Sequence, residues 1–321
     1  MIVRKSISFC IMTFLVLSLF FCFATKTSAA KPEPISAVSY TAPITLYWLA
    51  KARVPEAVEY AQYIDAEKIL KPANIFQYER VERINKIYQE IRYASLNDFI
   101  ESENYTNVMD LGCGVSPRCL YMARKGINYI GTDLSDVVEV LNFYAPNFVK
   151  DDMRKYVRFA VADATNRKEM MNAAKSLNGK ICIVEEGLLM YLSRDQQKAM
   201  LKNIRDILKE HGGAFVTSDF VAGNIFMSIN RTIYGDEDSL VVAKETQKVY
   251  EDLSKVIFND TMFKSKEEAV KFIEDAGLKV EMRPLFNGTP DIISIRDLNN
   301  RDIESINSMM QQKLLWVITV D

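Results

Sequence analysis

Histidine is nearly missing from this chain: its 321 residues contain one, His211. Zinc sites of ordinary composition draw on histidine or on paired cysteines. No CxxC occurs either, so no resident metal is expected. Cysteine is sparse as well. Cys10 and Cys22 fall in the first thirty residues, leaving Cys113, Cys119 and Cys182 in the body, an odd number without paired spacing. That usage fits a reduced enzyme and argues against a disulfide scaffold. No Lys/Arg block exists. The net charge is −2, and the first thirty residues hold Arg4, Lys5 and Lys26 with no acid, so the body is more acidic still. This excludes a general nucleic-acid binder. Internal repeats are lacking, and low complexity is confined to the N-terminal segment.

What is present begins with that segment. Arg4-Lys5 precedes an apolar run from Ile7 to Ala24, and small residues follow at Thr27-Ser28-Ala29-Ala30. Residues 1–30 read as an export signal. The run also reaches the lower length limit of a membrane span, so an uncleaved anchor with the body outside the cytoplasm is the other reading. Membrane contact is expected only there. The leader points to export, while the cysteine usage points to a reducing compartment. Residues 31–35 read as a linker and 36–321 as one enzyme domain, whose 49% apolar and 26% charged residues are ordinary for a soluble globular protein.

Residues 36–101 read as helical, with Val81, Ile84, Ile87, Tyr88 and Ile91 at helical spacing. From Thr106 onward strands and helices alternate. Strands are expected at Val108–Leu111, Tyr129–Asp133, Val157–Asp163, Ile181–Glu185 and Ala214–Asp219. Helices are expected at Cys119–Lys125, at Asp136–Tyr144 stopped by Pro146, at Lys168–Leu177 and at Arg194–Glu210. Residues 221–263 break the rhythm as a helical insertion. A helix at Lys266–Ala276 and late strands at Leu278–Pro284 and Leu314–Val320 close the chain around the segment Arg301–Gln312. This pattern predicts a Rossmann-like α/β fold: a seven-stranded, mostly parallel sheet with helices on both faces, an N-terminal helical cover and a lid after strand five.

In such sheets ligands bind at the carboxyl ends of the strands. Strand one ends in Asp110-Leu-Gly112-Cys-Gly114, where glycine lets the backbone turn and approach a ligand. Strand two ends in Asp133, strand three in Asp163-Ala164 and strand four in Glu185-Glu186-Gly187. A carboxylate at Asp133 suits ribose hydroxyls. Alone, Asp133 and Asp163 read equally as helix caps; acids at successive strand ends are harder to ascribe to chance. A nicotinamide dinucleotide requires a third glycine in the turn. Here the turn continues Val115-Ser116-Pro117, which suits a nucleoside ligand without pyrophosphate.

Asp110–Gly114, Tyr129–Asp133 and Phe159–Asp163 resemble the motifs of class I S-adenosylmethionine-dependent methyltransferases. Val184-Glu-Glu-Gly-Leu-Leu-Met-Tyr-Leu192, with Arg118, is similar to the leucine carboxyl methyltransferase family and its polyketide O-methyltransferase relatives. The resemblance implies S-adenosyl-L-methionine as cofactor and O-methylation of a small molecule or peptide. It implies that Gly112 and Gly114 pass under the cofactor, that Asp133 holds the ribose and that Asp163 and Ala164 face the adenine, with Leu134 packed on it. Glu186, with Asp110, would meet the ammonium. Arg118 would pair with the carboxylate, aided by Arg80 or Arg83 unless these form a solvated helix face. Tyr191 reads as pocket wall or core.

His211 is expected at the helix end before strand five, on the edge opposite the site. With no histidine near, an acceptor already ionised at neutral pH, such as a carboxylate, fits best, although an Asp or Tyr could serve as base. An exported nucleoside-binding module without turnover is the alternative that the leader motivates.

Overall fold

The computed structural model describes residues 41–66, 70, 79–254 and 263–321. The leader and linker expectations lie outside these residues. Among the described residues, no helix is long and apolar enough to cross a membrane.

Seven strands form one sheet: β1 (Asn107–Leu111), β2 (Asn128–Asp133), β3 (Val157–Val161), β4 (Ile181–Glu185), β5 (Gly213–Thr217), β6 (Lys279–Pro284) and β7 (Leu314–Thr319). Their order is β3-β2-β1-β4-β5-β7-β6. Neighbours run parallel throughout except at β7, which is antiparallel to both β5 and β6. The first five strands therefore take the doubly wound order that reverses between β1 and β4 and leaves a crevice there. This is the Rossmann-like sheet the alternating pattern predicts.

Side chains alternate across the sheet with the period of two that a pleat imposes. Val108, Cys182, Val184, Ala214 and Val216 join a core on one face. Met109, Leu111, Ile181, Ile183 and Phe215 join a core on the other. Both faces are buried, which explains why the central strands read as continuous apolar runs.

The first face is covered by α1 (Ala42–Lys51), α2 (Pro55–Ala61), α3 (Glu79–Ser102), α4 (Arg118–Arg124) and α5 (Ser135–Phe148). The second carries α6 (Arg167–Ala174), α7 (Arg194–His211) and, after the insertion, α9 (Lys266–Asp275). Helix α7 is fixed at its start by a capping box, Ser193 and Gln196 exchanging hydrogen bonds with each other's backbone. The insertion is α8 (Ala222–Ser254), two helical stretches joined at Gly235, where φ is 74°. It packs on α3 and on α10 (Asn300–Gln312).

Two of the boundaries that differ from the sequence reading have a clear physical cause. Helix α5 does not stop at Pro146 but continues to Phe148. A proline that close to the end forfeits little, and Phe148 packs on Tyr60 with ring centroids 4.0 Å apart. The helix after β3 is capped by Asn166, whose side chain accepts from the Lys168 and Glu169 amides. Asp163 instead closes the preceding turn, accepting from the Thr165 amide and hydroxyl at 2.8 Å each.

Candidate functional site

A cavity of about 760 Å³ opens at the carboxyl ends of the strands, lined by residues from β1 to β4, α1, α3 and α8. Its floor is the bend after β1. Gly112 and Gly114 have φ of 56° and 50°, a region that strains any other residue. A Cβ on Gly114 would sit 3.3 Å from the Ala42 backbone, and one on Gly112 would sit 3.1 Å from Leu188. The bend is bare because both of its neighbours press on it.

Asp133 reaches this bend. Its Oδ2 accepts from the Gly114 amide at 2.7 Å and its Oδ1 from the Leu134 amide at 2.7 Å. Burial pushes its pKa up to about 6, only partly offset by these amides. Each carboxylate oxygen retains a second lone pair for a ligand hydroxyl. Beside it Leu134 is 42% exposed, unusual for a large apolar residue at a cavity wall. Asp163 and Ala164 line the same wall, the Ala164 carbonyl pinned by Asn203 Nδ2 at 2.9 Å.

Arg118 is 1% exposed. Its Nη1 donates to Asp110 Oδ2 at 3.0 Å, its Nη2 to Glu186 Oε2 at 2.6 Å and its Nε to Asn97 at 3.0 Å. Tyr93 lies under the guanidinium at 5.1 Å. Tyr129 donates a further hydrogen bond to Asp110 Oδ2 at 3.1 Å. Two protein carboxylates thus pair with Arg118, which sets their positions while itself lining the cavity. Glu186 is left with one buried oxygen, Oε1, that has no hydrogen-bond partner. Leaving a carboxylate oxygen buried and unmet costs more than a typical hydrogen bond returns, so this atom points to a cationic ligand group.

The loop after β4 is held by two acids, Glu185 and Asp219, that the sequence reading placed at strand ends without giving them this role. Glu185 Oε1 accepts from the Leu188 and Leu189 amides at 2.5 and 3.0 Å. Burial and the nearby Asp219 push its pKa up to about 8. Asp219 accepts from the Gly187 amide at 2.5 Å and takes a forked bond from Arg92, whose Nη2 reaches both oxygens at 2.7 and 2.6 Å. Arg92 and Asp219 are 3% and 4% exposed. Arg92 is the arginine of α3 that lines the cavity. Arg80 and Arg83 lie on the solvated face of the same helix, beside Asp238 and Glu79, and neither lines the cavity.

Tyr191 lines the cavity, and burial raises its pKa, so its hydroxyl stays protonated at neutral pH. Burial raises the pKa of Tyr88 and Tyr250 as well. His211 is the last residue of α7, at the amino end of β5 and away from the cavity, and its side chain is mostly buried rather than at the surface. The three body cysteines are buried and free.

No protein-family model matches the chain, and no curated protein sequence does. Solved structures similar to it include the methyltransferase domain of bacterial CtHen1-C, 16% identical, covering 73% of this chain and 98% of that one at a TM-score of 0.42. Magnesium protoporphyrin IX methyltransferase (ChlM) from Synechocystis PCC 6803 with bound SAH is 13% identical, covering 75% and 87% at 0.41. An O-methyltransferase (NcsB1) from neocarzinostatin biosynthesis is 12% identical, covering 89% and 70% at 0.44. All three scores are low, so the chemistry rests on the residues of the cavity itself.

Proposed function

We propose that this chain is an S-adenosylmethionine-dependent methyltransferase that transfers a methyl group to an oxygen of a small molecule. The observation that carries the reading is the bare glycine bend with Asp133 docked on it at 2.7 Å, in a cavity that Glu186, with its unmet oxygen, also lines. These features fit the parts of the cofactor one by one. Asp133 would accept the ribose hydroxyls. Leu134, Asp163 and Ala164 would bound the adenine. Gly112 and Gly114 would leave room for the sugar and the methionine chain, and Glu186 Oε1 would meet the ammonium. Arg118 and Asp110 act behind Glu186 as positioning residues. Bound there, the cofactor would supply a methyl group on a sulfonium, whose leaving group needs no further activation.

The protein is left with alignment and exclusion of water. Glu185 and Asp219 fix the loop that carries Glu186, so the ammonium site and the acceptor wall move as one body. The likeness of Val184–Leu192 to the leucine carboxyl and polyketide O-methyltransferases supports oxygen as the acceptor atom. Calorimetric titration with S-adenosylhomocysteine tests the cofactor assignment, and transfer of labelled methyl from S-adenosylmethionine to extracts tests turnover. Absence of nucleoside binding overturns the reading. Binding without transfer to any extract favours the exported binding module.

A further inference from the structure

The half of the cavity away from the strand ends is walled by two helix faces of identical spacing. On α3, Asn85, Tyr88, Gln89 and Arg92 recur at i, i+3, i+4 and i+7; on α8, Ala243, Thr246, Gln247 and Tyr250 do the same. A hydrogen-bond chain with one direction links them. Arg92 Nη1 donates to Gln89 Oε1 at 3.1 Å, which turns the amide so that Nε2 donates to the Tyr250 hydroxyl at 3.3 Å. That hydroxyl donates to Asn85 Oδ1 at 3.1 Å, and Asn85 Nδ2 donates to the Val81 carbonyl at 2.8 Å. The chain thus fixes both amides with one N–H each to spare. Thr246, 7% exposed, lines the cavity, and its buried hydroxyl oxygen has no hydrogen-bond partner.

We infer that this half binds the methyl acceptor, and that the acceptor is an uncharged, mostly apolar molecule presenting a carbonyl, ether or hydroxyl oxygen to Thr246 and the Asn85 and Gln89 amides. The inference rests on the cofactor assignment above. Charge carries it furthest. Among the described residues lining the cavity, the carboxylates of Asp110, Asp133, Asp163 and Glu186 face only two guanidiniums, Arg92 and Arg118. Both guanidiniums are already bound by buried acids. A cofactor bearing ammonium, sulfonium and carboxylate brings one net positive charge and leaves the cavity acidic. An anionic acceptor would enter that field with its own charge desolvated. A hydroxyl is therefore favoured over a carboxylate as the acceptor: its oxygen bonds the methyl carbon as the carbon–sulfur bond breaks, that electron pair stays on sulfur, and the hydroxyl proton passes to water at the cavity mouth. Ile44, Phe226 and Met227 supply the apolar wall against which its body would lie.

Ligand-observed NMR tests this with the full chain saturated in S-adenosylhomocysteine and a fragment set balanced among neutral, anionic and cationic molecules. Neutral fragments should dominate the hits. Thr246→Val and Gln89→Leu, each melting as the unsubstituted chain does, should weaken those hits about tenfold, the worth of one hydrogen bond to a buried group. If either variant melts low, Thr246→Ala or Gln89→Met takes its place. Anionic or cationic fragments binding as well as neutral ones, hits unmoved by both variants, or no hits in any class would each overturn the inference. S-adenosylhomocysteine titrated alone is read separately. Its failure to bind sinks the cofactor assignment and this inference with it, whereas its binding without acceptor hits sinks only the latter.

Discussion

The strand-end half of the cavity offers backbone and carboxylates; the helix half offers amides and hydroxyls on side chains. In the first, each group comes from a short stretch of chain at a strand terminus, placed by the sheet register that sets Asp110 beside Gly131 and Leu111 beside Glu185. In the second, the groups come from helices more than a hundred residues apart and meet only because α3 and α8 pack together. Charge follows the same division. The ordered carboxylates gather where a cationic cofactor would sit, and the helix half is close to neutral once Asp219 has answered Arg92. On the proposed assignment, affinity for the cofactor and choice of acceptor would be set by different parts of the chain and could be altered separately.

The sharpest way to break that division is at the ion pair joining the halves. Arg92→Met leaves Asp219 buried and unpaired, which should destabilise the protein by about 3–5 kcal/mol. Arg92→Met combined with Asp219→Leu should recover part of that loss. A single variant that melts as the unsubstituted chain does would show that the pair does not tie the halves. Next in size is the glycine bend. Gly114→Val demands a strained backbone against Ala42, so S-adenosylhomocysteine should bind roughly 100-fold more weakly, equivalent to about 3 kcal/mol. Acceptor fragments should still bind to this variant.

The two acids divide the cofactor half itself. Asp133→Asn should weaken adenosine and S-adenosylhomocysteine alike, while Glu186→Gln should weaken only the latter, each by about 10- to 100-fold for a lost charged hydrogen bond. Equal losses for both ligands in both variants would refute the assignment of Glu186 to the ammonium. The smallest effect is that of pH. The raised pKa of Asp133, about 6, means that its carboxyl takes up a proton as pH falls through 6 and stops accepting ribose hydroxyls. Adenosine affinity should be flat above about pH 7 and fall roughly tenfold per unit well below 6. Asp133→Asn should abolish the dependence.

Legibility divides along the same line. The order of strands and helices was readable from period and punctuation, since both faces of the sheet are covered and its strands are plain apolar runs. So was the cluster of Asp110, Gly112, Gly114, Asp133 and Glu186, because a strand end is a local event. Arg92 was not. On α3 the stripe of Val81, Ile84, Ile87 and Ile91 marks the core face, and nothing in that pattern shows that a second, polar stripe through Asn85, Gln89 and Arg92 is buried too. Its signal lay in polar residues at helical spacing next to the apolar ones. The resemblance offered Arg80 or Arg83 instead, with a solvated helix face as the other reading, and that face is where both lie. Asp219 and Glu185 were visible only as strand-end acids, because their partners are amides of a loop whose path only the fold reveals.

The reversed direction of β7 has a practical consequence. Thr319 lies near the start of β5, since Phe215 is registered with Ile318, so Asp321 emerges on the side of the sheet remote from the mouth of the cavity. Asp321 is exposed and forms an ion pair with Lys279. An affinity handle or a sensor-chip linkage attached at that residue would leave ligand entry unobstructed, which makes it the attachment point for every titration described above.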